Sequence, residues 1–357
     1  MKRKVAVVGG GLAGILSSLW LSEQGDEVYL YEEKEERDYS VNCGETLADV
    51  DDSRTLLPGI YENHIRNELS GVEYKIGDNS YKMSLHMTVL DRKEWQLELI
   101  DLAKSKDVNV SFGEKGRPYE FNNSYDLVVD ARGSFRRENR DYAKAIYVIC
   151  GGDFDPNKMI LFNRECLAGY YWVIPYSKDI ANIGYGGEKE ENISLGDLRN
   201  LFNQVGVSNS DIVERGGGLL DYTYGDKLYQ EGKKRDLVYE NFPPVVEVGD
   251  AAGLVSPLTG IGINGAIKSA KLLSQNIGNL QRYQRKIYDT MGKTLSRSTK
   301  MAYIRKNNFS KFEDIIKILD GTKLPETWKK TFLLKHPIKA MRLGKELGSF
   351  EYRKKLI

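Results

Sequence analysis

The sequence predicts an α/β fold, α+β overall, in which a domain of parallel strands and helices carries an inserted, mostly antiparallel sheet and is followed by a helical C-terminal segment. Three observations carry this reading. A buried-strand run, Val5-Ala-Val-Val8, leads directly into Gly9-Gly10-Gly11-Leu12-Ala13-Gly14 and an apolar helix. Residues 145–224 break into short alternating runs, the pattern of antiparallel strands. A second apolar strand, Val245-Val-Glu-Val248, ends in Gly249-Asp250, and a glycine-rich turn and another helix follow.

Gly9, Gly11 and Gly14 stand at Gly-x-Gly-x-x-Gly spacing, the pattern of a Rossmann-like dinucleotide cradle. Gly9 permits the tight turn and Gly11 lets backbone N–H groups reach a pyrophosphate. Gly14 lets the following helix, expected over residues 15–24, pack close to the strand with its N-terminus facing the phosphates. A second strand, residues 28–31, ends on Glu32, whose carboxylate can accept a hydrogen bond from an adenosine ribose hydroxyl. The polar stretch Asn42-Cys43-Gly44-Glu45-Thr46 then reads as a loop beside the nucleotide. A helix is expected over residues 56–70, beginning near Pro58, with strands across 72–89. Asp91-Arg92-Lys93 caps a helix to about Ser105; Arg92, at a strand-to-helix junction, is either a surface base or a contact to the cofactor's phosphates or ribitol.

A strand over 125–130 returns the chain to the parallel sheet. The antiparallel sheet of 145–224, with one helix near 195–205, suits a substrate wall. Within it, Tyr170-Tyr171-Trp172-Val173-Ile174-Pro175 sends Tyr170, Trp172 and Ile174 to one face, either as core or as the lining of an apolar tunnel. Asp250, at a strand end, can bond a polyol chain. The Gly260-Ile261-Gly262-Ile263 backbone, at a helix start, can stabilise negative charge on a reduced flavin ring. A nucleotide fingerprint joined to this distant second block fits FAD better than NAD.

The chain of 357 residues, 41% hydrophobic, is long enough for two or three domains. The expected division is a nucleotide domain of 1–60, 84–137 and 236–281, a substrate domain of 61–83 and 138–235, and a basic helical region of 282–357. Cys43, Cys150 and Cys166 are too few and too scattered for a disulfide framework, and His64, His86 and His336 form no metal-type spacing, so no metal is expected. Lys2-Arg3-Lys4 before an apolar stretch resembles a secretory signal, but three glycines interrupt it and no small-residue cleavage site follows. No run reaches the length of a spanning helix, so a cytoplasmic protein is expected.

The net charge of +1 conceals an asymmetry: from Arg282 onward twenty Lys or Arg stand against seven Asp or Glu. Helices are expected over 281–307, 311–319, 326–334 and 338–347, with apolar residues such as Phe332, Leu333, Ile338, Met341 and Leu347 interleaved. This fits either a solvated basic face or attraction to an anionic membrane surface, which would place the protein peripherally at the inner face. No stacking platform or recognition-helix pattern points to nucleic acid.

Taken together, Cys43-Gly44-Glu45, the Tyr170-x-Trp172-x-Ile174-Pro175 strand followed by Gly184-Tyr-Gly186, and Gly249-Asp250 with Pro257-Leu-Thr-Gly260-Ile-Gly262 resemble the geranylgeranyl reductase family. These are FAD flavoproteins of the glutathione-reductase type, hydroxylase-like branch. The resemblance covers roughly residues 1–280 and departs from the family's Pro-x-x-Tyr-x-Trp-x-Phe-Pro motif at Leu167 and Ile174. It implies FAD contacts at Ala13, Glu32, Cys43, Gly44, Thr46, Arg92, Asp250, Gly262 and Ile263. It also implies saturation of isoprenoid double bonds in archaeal membrane lipids or their precursors.

Such a reaction needs hydride delivered to one carbon and a proton to the other in a dry, aligned pocket. Cys43 is expected to contact the reacting region, Tyr170 and Trp172 to grip the chain, and the proton to come from Cys43, Glu45 or water. The expected partners are a prenylated lipid, an external electron donor (ferredoxin or reduced nicotinamide) and an anionic membrane surface. Two other readings compete: a flavin monooxygenase or halogenase, and a flavoprotein that binds membrane lipid without catalysis.

Overall fold

The computed structural model describes residues 2–121, 124–134, 140–163, 169–188, 191, 194–208, 211–324, 336, 338–343 and 346. In chain order its strands are β1 (Lys4–Val8), β2 (Glu27–Glu32), β3 (Thr46–Ala48), β4 (Ile65–Ile76), β5 (Asn79–Leu90), β6 (Asn109–Phe112), β7 (Leu127–Asp130), β8 (Tyr142–Gly151), β9 (Lys158–Asn163), β10 (Tyr170–Pro175), β11 (Ile180–Glu188), β12 (Ile212–Asp221), β13 (Val238–Tyr239) and β14 (Val245–Glu247). The helices are α1 (Leu12–Ser22), α2 (Arg92–Ser105), α3 (Leu195–Val205), α4 (Thr223–Gln230), α5 (Ile263–Asn276), α6 (Leu280–Ile287), α7 (Lys293–Asn307) and α8 (Phe309–Leu319).

The first sheet runs β13-β14-β7-β1-β2-β6 and is parallel except for edge strand β13. Its central strands are apolar throughout because both faces are covered. Val5 and Val7 pack with α1, α5 and α6, while Ala6, Val8, Val128 and Val245 pack on the opposite face with Tyr31, Phe121 and Tyr125. The second sheet runs β12-β8-β11-β10-β9-β4-β5-β3 and is antiparallel except for the β4–β9 pair. One face packs on α7 and α8 through Met301, Ile304, Phe312 and Ile315; the other packs on α3 through Leu198, Leu201 and Phe202. β5 runs unbroken from this sheet to Leu90, and Asp91 then caps α2, its side chain accepting from the Glu94 amide at 3.3 Å.

The helix expected over residues 56–70 does not form. Two 3₁₀ segments, Ser53–Leu56 and Gly59–His64, lead instead into β4 at Ile65. Arg66, Glu68 and Leu69 favour helix locally, but pairing with β5 and β9 on a buried face outweighs that preference. A bulge between Leu69 and Gly71 resets the alternation so that both Leu69 and Val72 reach the core.

A buried ionic cluster ties the two sheets together. Arg140 donates to Asp221 of β12 at 3.1 Å and to Glu247 of β14 at 2.8 Å, and Arg235 bonds the other Glu247 oxygen.

The helix expected over 281–307 appears as α6 and α7 joined through a π turn, Tyr288–Gly292, and α8 follows as expected. Tyr283, Ile287 and Leu295 belong to the first core, and Met301, Ile304 and Phe312 to the second. Part of the basic segment therefore turns inward: Lys300 and Arg305 are buried, and Lys306 pairs with Glu188 at 2.7 Å. Residues 338–343 are helical. The helix expected over 326–334, along with Cys166, Leu167 and Leu347, lies outside the described residues. Among those described, no helix is long and apolar enough to cross a membrane, and no His, Cys, Asp and Glu residues cluster as a metal site.

Candidate functional site

The cradle is built by three backbone segments pressed together. Gly9, at φ +108°, sits where a Cβ would lie 2.4 Å from the Ala131 carbonyl oxygen. At Gly14 a Cβ would lie 1.9 Å from the Gly9 oxygen, so only glycine lets α1 start this close to β1. A Cβ on Gly11 would meet no atom of the protein, leaving that side of the turn open to a ligand. Glu32, at the end of β2, accepts from the Gly10 amide at 2.7 Å and from the Lys34 amide at 3.0 Å, which fixes its carboxylate beside the turn.

From this turn a cavity of about 1400 Å³ extends beneath the second sheet. Of the expected site residues, Gly11, Ala13, Cys43, Gly44, Glu45, Thr46, Arg92, Asp250, Gly260, Gly262, Ile263, Tyr170, Trp172 and Ile174 line it. Gly9, Gly14, Glu32 and Pro175 lie behind the lining. Pro175 ends β10, and its carbonyl accepts from Asn67 at 2.9 Å.

Cys43 projects from the loop between β2 and β3. Its sulfur accepts from the Arg92 guanidinium at 3.3 Å and from the Glu45 amide at 3.2 Å. Gly44 presses against the β10 wall, since a Cβ there would lie 3.1 Å from Ile174 Cδ1. Glu45 adopts φ +59°, a strained conformation for a residue with a side chain. Burial raises its carboxyl pKa, opposed by a hydrogen bond from Tyr176 and by the charges of Arg66 and Arg92.

On the opposite side, Asp250 follows β14. Burial pushes its carboxyl up to about 6, opposed by the Ser134 hydroxyl, which donates at 3.2 Å. Gly262 stands where a Cβ would come within 2.8 Å of the Asp250 Oδ1, and Ile263 opens α5 toward the cavity. Tyr170 donates to the Thr259 carbonyl, joining the aromatic wall to this turn.

The wall itself depends on glycines in β11. Trp172 pairs with Gly184, where a Cβ would lie 2.1 Å from the indole, and Gly186 flanks the same ring. The Gly184-Tyr-Gly186 sequence therefore makes room for Trp172. Beyond Trp172 the lining turns apolar: Tyr74, Met83, Leu85, Leu161, Met301, Ile316 and Leu319.

Several functional side chains escaped the sequence reading. Asn182, fully buried in β11, accepts from Trp172 Nε1 at 2.8 Å and donates to Tyr176 Oη at 3.1 Å and the Cys43 carbonyl at 3.4 Å. An amide inside the apolar run Ile180-Ala-Asn182-Ile183 was the available signal. Tyr147 also lines the cavity, with burial pushing its phenol up to about 12. Arg305 reaches the wall from α7, stacking over Tyr170 at 5.1 Å and donating to the Leu258 carbonyl at 3.0 Å. Arg92 Nε and Asn264 Oδ1 are buried without protein partners on cavity-lining residues. Such orphans, beside a glycine turn open to a ligand, are what a nucleotide-type cofactor would satisfy.

No family model matches the chain. It is 24% identical to the digeranylgeranylglycerophospholipid reductase of Methanosarcina acetivorans, over 89% of this chain and 88% of that one. It is 26% identical to the geranylgeranyl diphosphate reductase of Synechocystis, over 78% and 75%. A shorter match, to digeranylgeranylglycerophospholipid reductase 2 of Methanothermobacter thermautotrophicus, is 28% identical over 44% of this chain and 42% of that one. Among solved structures, a geranylgeranyl bacteriochlorophyll reductase-like protein from Thermoplasma acidophilum superposes with a TM-score of 0.75 at 20% identity, covering 97% of this chain and 99% of that one. PqsL of Pseudomonas aeruginosa, described as a probable FAD-dependent monooxygenase, gives 0.64 at 14% identity, covering 89% and 100%. The fold is thus one shared by reductases and oxygenases of the flavoprotein class.

Proposed function

Because the chain is related in sequence and fold to the geranylgeranyl reductases, we propose that it is an FAD-dependent reductase that saturates C=C bonds of isoprenoid chains in membrane lipids or their precursors. The observation that carries this reading is one continuous cavity that begins at a nucleotide cradle and ends in an apolar tunnel walled by Tyr170, Trp172 and Ile174.

The residues present fit FAD. Gly11 and Ala13 would hold the pyrophosphate at the start of α1, Glu32 the ribose, Arg92 and Asp250 the polar linker, and Gly262 and Ile263 the ring. When bound, FAD supplies hydride equivalents from its reduced ring. The remaining work falls to the protein. Trp172 is held in one orientation by Asn182 and by the glycines behind it, so it presents a rigid apolar face to a flexible chain. The tunnel excludes water and lays the alkene alongside the Cys43-Gly44-Glu45 loop. Electrons reach the flavin from a ferredoxin or reduced nicotinamide. The basic C-terminal segment holds the protein at an anionic membrane surface, where its lipid substrate resides.

The test is anaerobic incubation of the reduced, flavin-loaded protein with geranylgeranyl phospholipid, geranylgeranyl diphosphate and menaquinone, followed by mass spectrometry of the lipids. Mass gains in steps of two hydrogens support the reading. Oxygen consumption by the reduced protein with no mass gain would instead favour the monooxygenase reading, and flavin binding with neither activity would favour a lipid-binding flavoprotein.

A further inference from the structure

We infer that the proton of the reduction is delivered by Glu45, with Tyr176 and Asn182 as the residues that position it; this rests on the reductase reading above. The three candidates left open by the sequence are separated by how each is placed. The Cys43 sulfur is occupied as an acceptor, with the Arg92 guanidinium on one side and the Glu45 amide on the other. That arrangement, with the sulfur engaged by two donors, suits a group that contacts and orients. A free water in a tunnel built to exclude water would have to be held by polar groups. The polar groups at this point of the lining are those around Glu45 itself.

Glu45 has the placement that a donor needs. Glu45 is part of the cavity lining, and its backbone is held at φ +59° by the β3–β5 junction, where its carbonyl accepts from the Leu90 amide at 2.9 Å. A non-glycine residue kept in that conformation shows that the fold imposes the side chain's direction. The adjacent Gly44 abuts Ile174, so Glu45 stands next to the wall along which the alkene would lie.

Behind the carboxyl a chain of fixed groups runs away from the tunnel. Tyr176 donates to Glu45, Asn182 donates to Tyr176 at 3.1 Å, and the same Asn182 accepts from Trp172 at 2.8 Å. One buried amide therefore sets both the substrate wall and the phenol that orients the acid. On the solvent side, Arg66 approaches Glu45 at 3.4 Å, pairs with Asp91 at 2.7 Å and stacks over the Tyr176 ring at 4.9 Å. Arg66 is about a third exposed, so this edge gives the carboxyl access to bulk water.

Bound reduced flavin would supply the hydride and its electron pair to one alkene carbon. The Glu45 carboxyl gives its proton to the other carbon and becomes a carboxylate, and water at the Arg66 edge returns a proton to it.

The charged and titratable groups facing Glu45 are Arg66 from β4, Asp91 and Arg92 from the β5–α2 junction, Tyr147 from β8 and Tyr176 from the end of β10. Tyr176, Arg66 and Arg92 favour the carboxylate, while burial and Asp91 favour the acid. Removing the Tyr176 hydroxyl therefore shifts Glu45 toward the protonated form and moves its titration to higher pH.

The experiment is infrared difference spectroscopy across a pH titration of the flavin-loaded protein, comparing wild type, Glu45→Gln and Tyr176→Phe, in parallel with product analysis. A protonated-carboxyl band should be present in wild type and absent in Glu45→Gln. In Tyr176→Phe it should persist to higher pH, with the alkaline limb of the pH–rate profile moving the same way. Glu45→Gln should keep its flavin and lose about 10²–10⁴-fold in turnover. A band that does not depend on Glu45, or wild-type turnover in Glu45→Gln, overturns the assignment. Absence of prenyl reduction by the wild type overturns the reductase reading itself, and the assignment falls with it.

Discussion

Asp250 sits in a position that costs the empty protein stability and rewards a bound cofactor, and the two effects can be separated by pH. Burial, reinforced by the charge of Asp221, raises its carboxyl from 3.8 to about 6. A shift of about two units corresponds to ~3 kcal/mol, and cavity solvent makes this a ceiling. The sign follows from proton binding: the folded state holds the proton more tightly than the unfolded chain. The penalty is therefore absent below the unfolded pKa and fully present above about 6. Urea unfolding of the cofactor-free protein and of Asp250→Asn, measured between pH 4 and 7, should show the variant gaining on wild type as pH rises, by up to ~3 kcal/mol. With the cofactor bound the order should invert. A ligand hydroxyl donating to the carboxylate favours the ionised form, so wild-type flavin affinity should rise with pH through about 6 while that of Asp250→Asn stays flat. Unfolding curves that stay parallel at every pH would refute the account of Asp250 as a strained, ligand-awaiting carboxylate.

Two glycines of the cradle should fail differently: Gly11→Ala should leave the unfolding midpoint unchanged and abolish flavin retention, whereas Gly14→Ala, facing a 1.9 Å clash, should lower both. Asn182→Leu leaves Trp172 Nε1 and Tyr176 with unmet bonds in the interior; a loss of about 1–3 kcal/mol per orphaned group and a shifted indole fluorescence are expected. Arg140→Met removes the cation shared by Asp221 and Glu247, leaving Glu247 paired with Arg235, and should cost about 3–5 kcal/mol by chemical denaturation, with part of the loss recovered when Glu247→Gln is added. Equal stability of the single and double variants would show that the cluster is not coupled.

The core of the parallel sheet and its glycine turn were legible because their signals are local: strand, glycines, helix and Glu32 all lie within one stretch of chain whose conformations the residues themselves demand. The β10 wall was legible for the same reason, since period-two alternation is a property of the strand alone. Residues 56–70 misled because Arg66, Glu68 and Leu69 look helical until the partner strands β5 and β9, the second of them distant in sequence, are known. Asn182, Tyr176 and Arg305 escaped for a related reason. Their roles exist only where β11, the end of β10 and α7 converge on a loop far away in the chain, and no spacing rule records such a convergence. The basic C-terminal segment shows the limit of charge counting: Arg305 and Lys300 contribute to the excess, yet both are interior.

The π turn at Tyr288–Gly292 has a bearing on the shape of the cavity. A wide turn inserts one extra residue into the helical repeat, advancing everything after it by about 100°. Leu295, Ser298, Ala302 and Arg305 recur at three- and four-residue intervals along α7, and all face the tunnel. Met291, inside the turn, faces it too. Their shared orientation is a matter of helical phase, set by five residues upstream of most of them. Loss of a single residue between Tyr288 and Gly292 would relax the turn to ordinary helix and swing that whole stripe aside, replacing one tunnel floor with another. The bore of the cavity is thus sensitive to a deletion remote from the Gly9–Gly14 turn, and Ser298 and Arg305, which bond the Ser256–Leu258 segment, would move with the stripe.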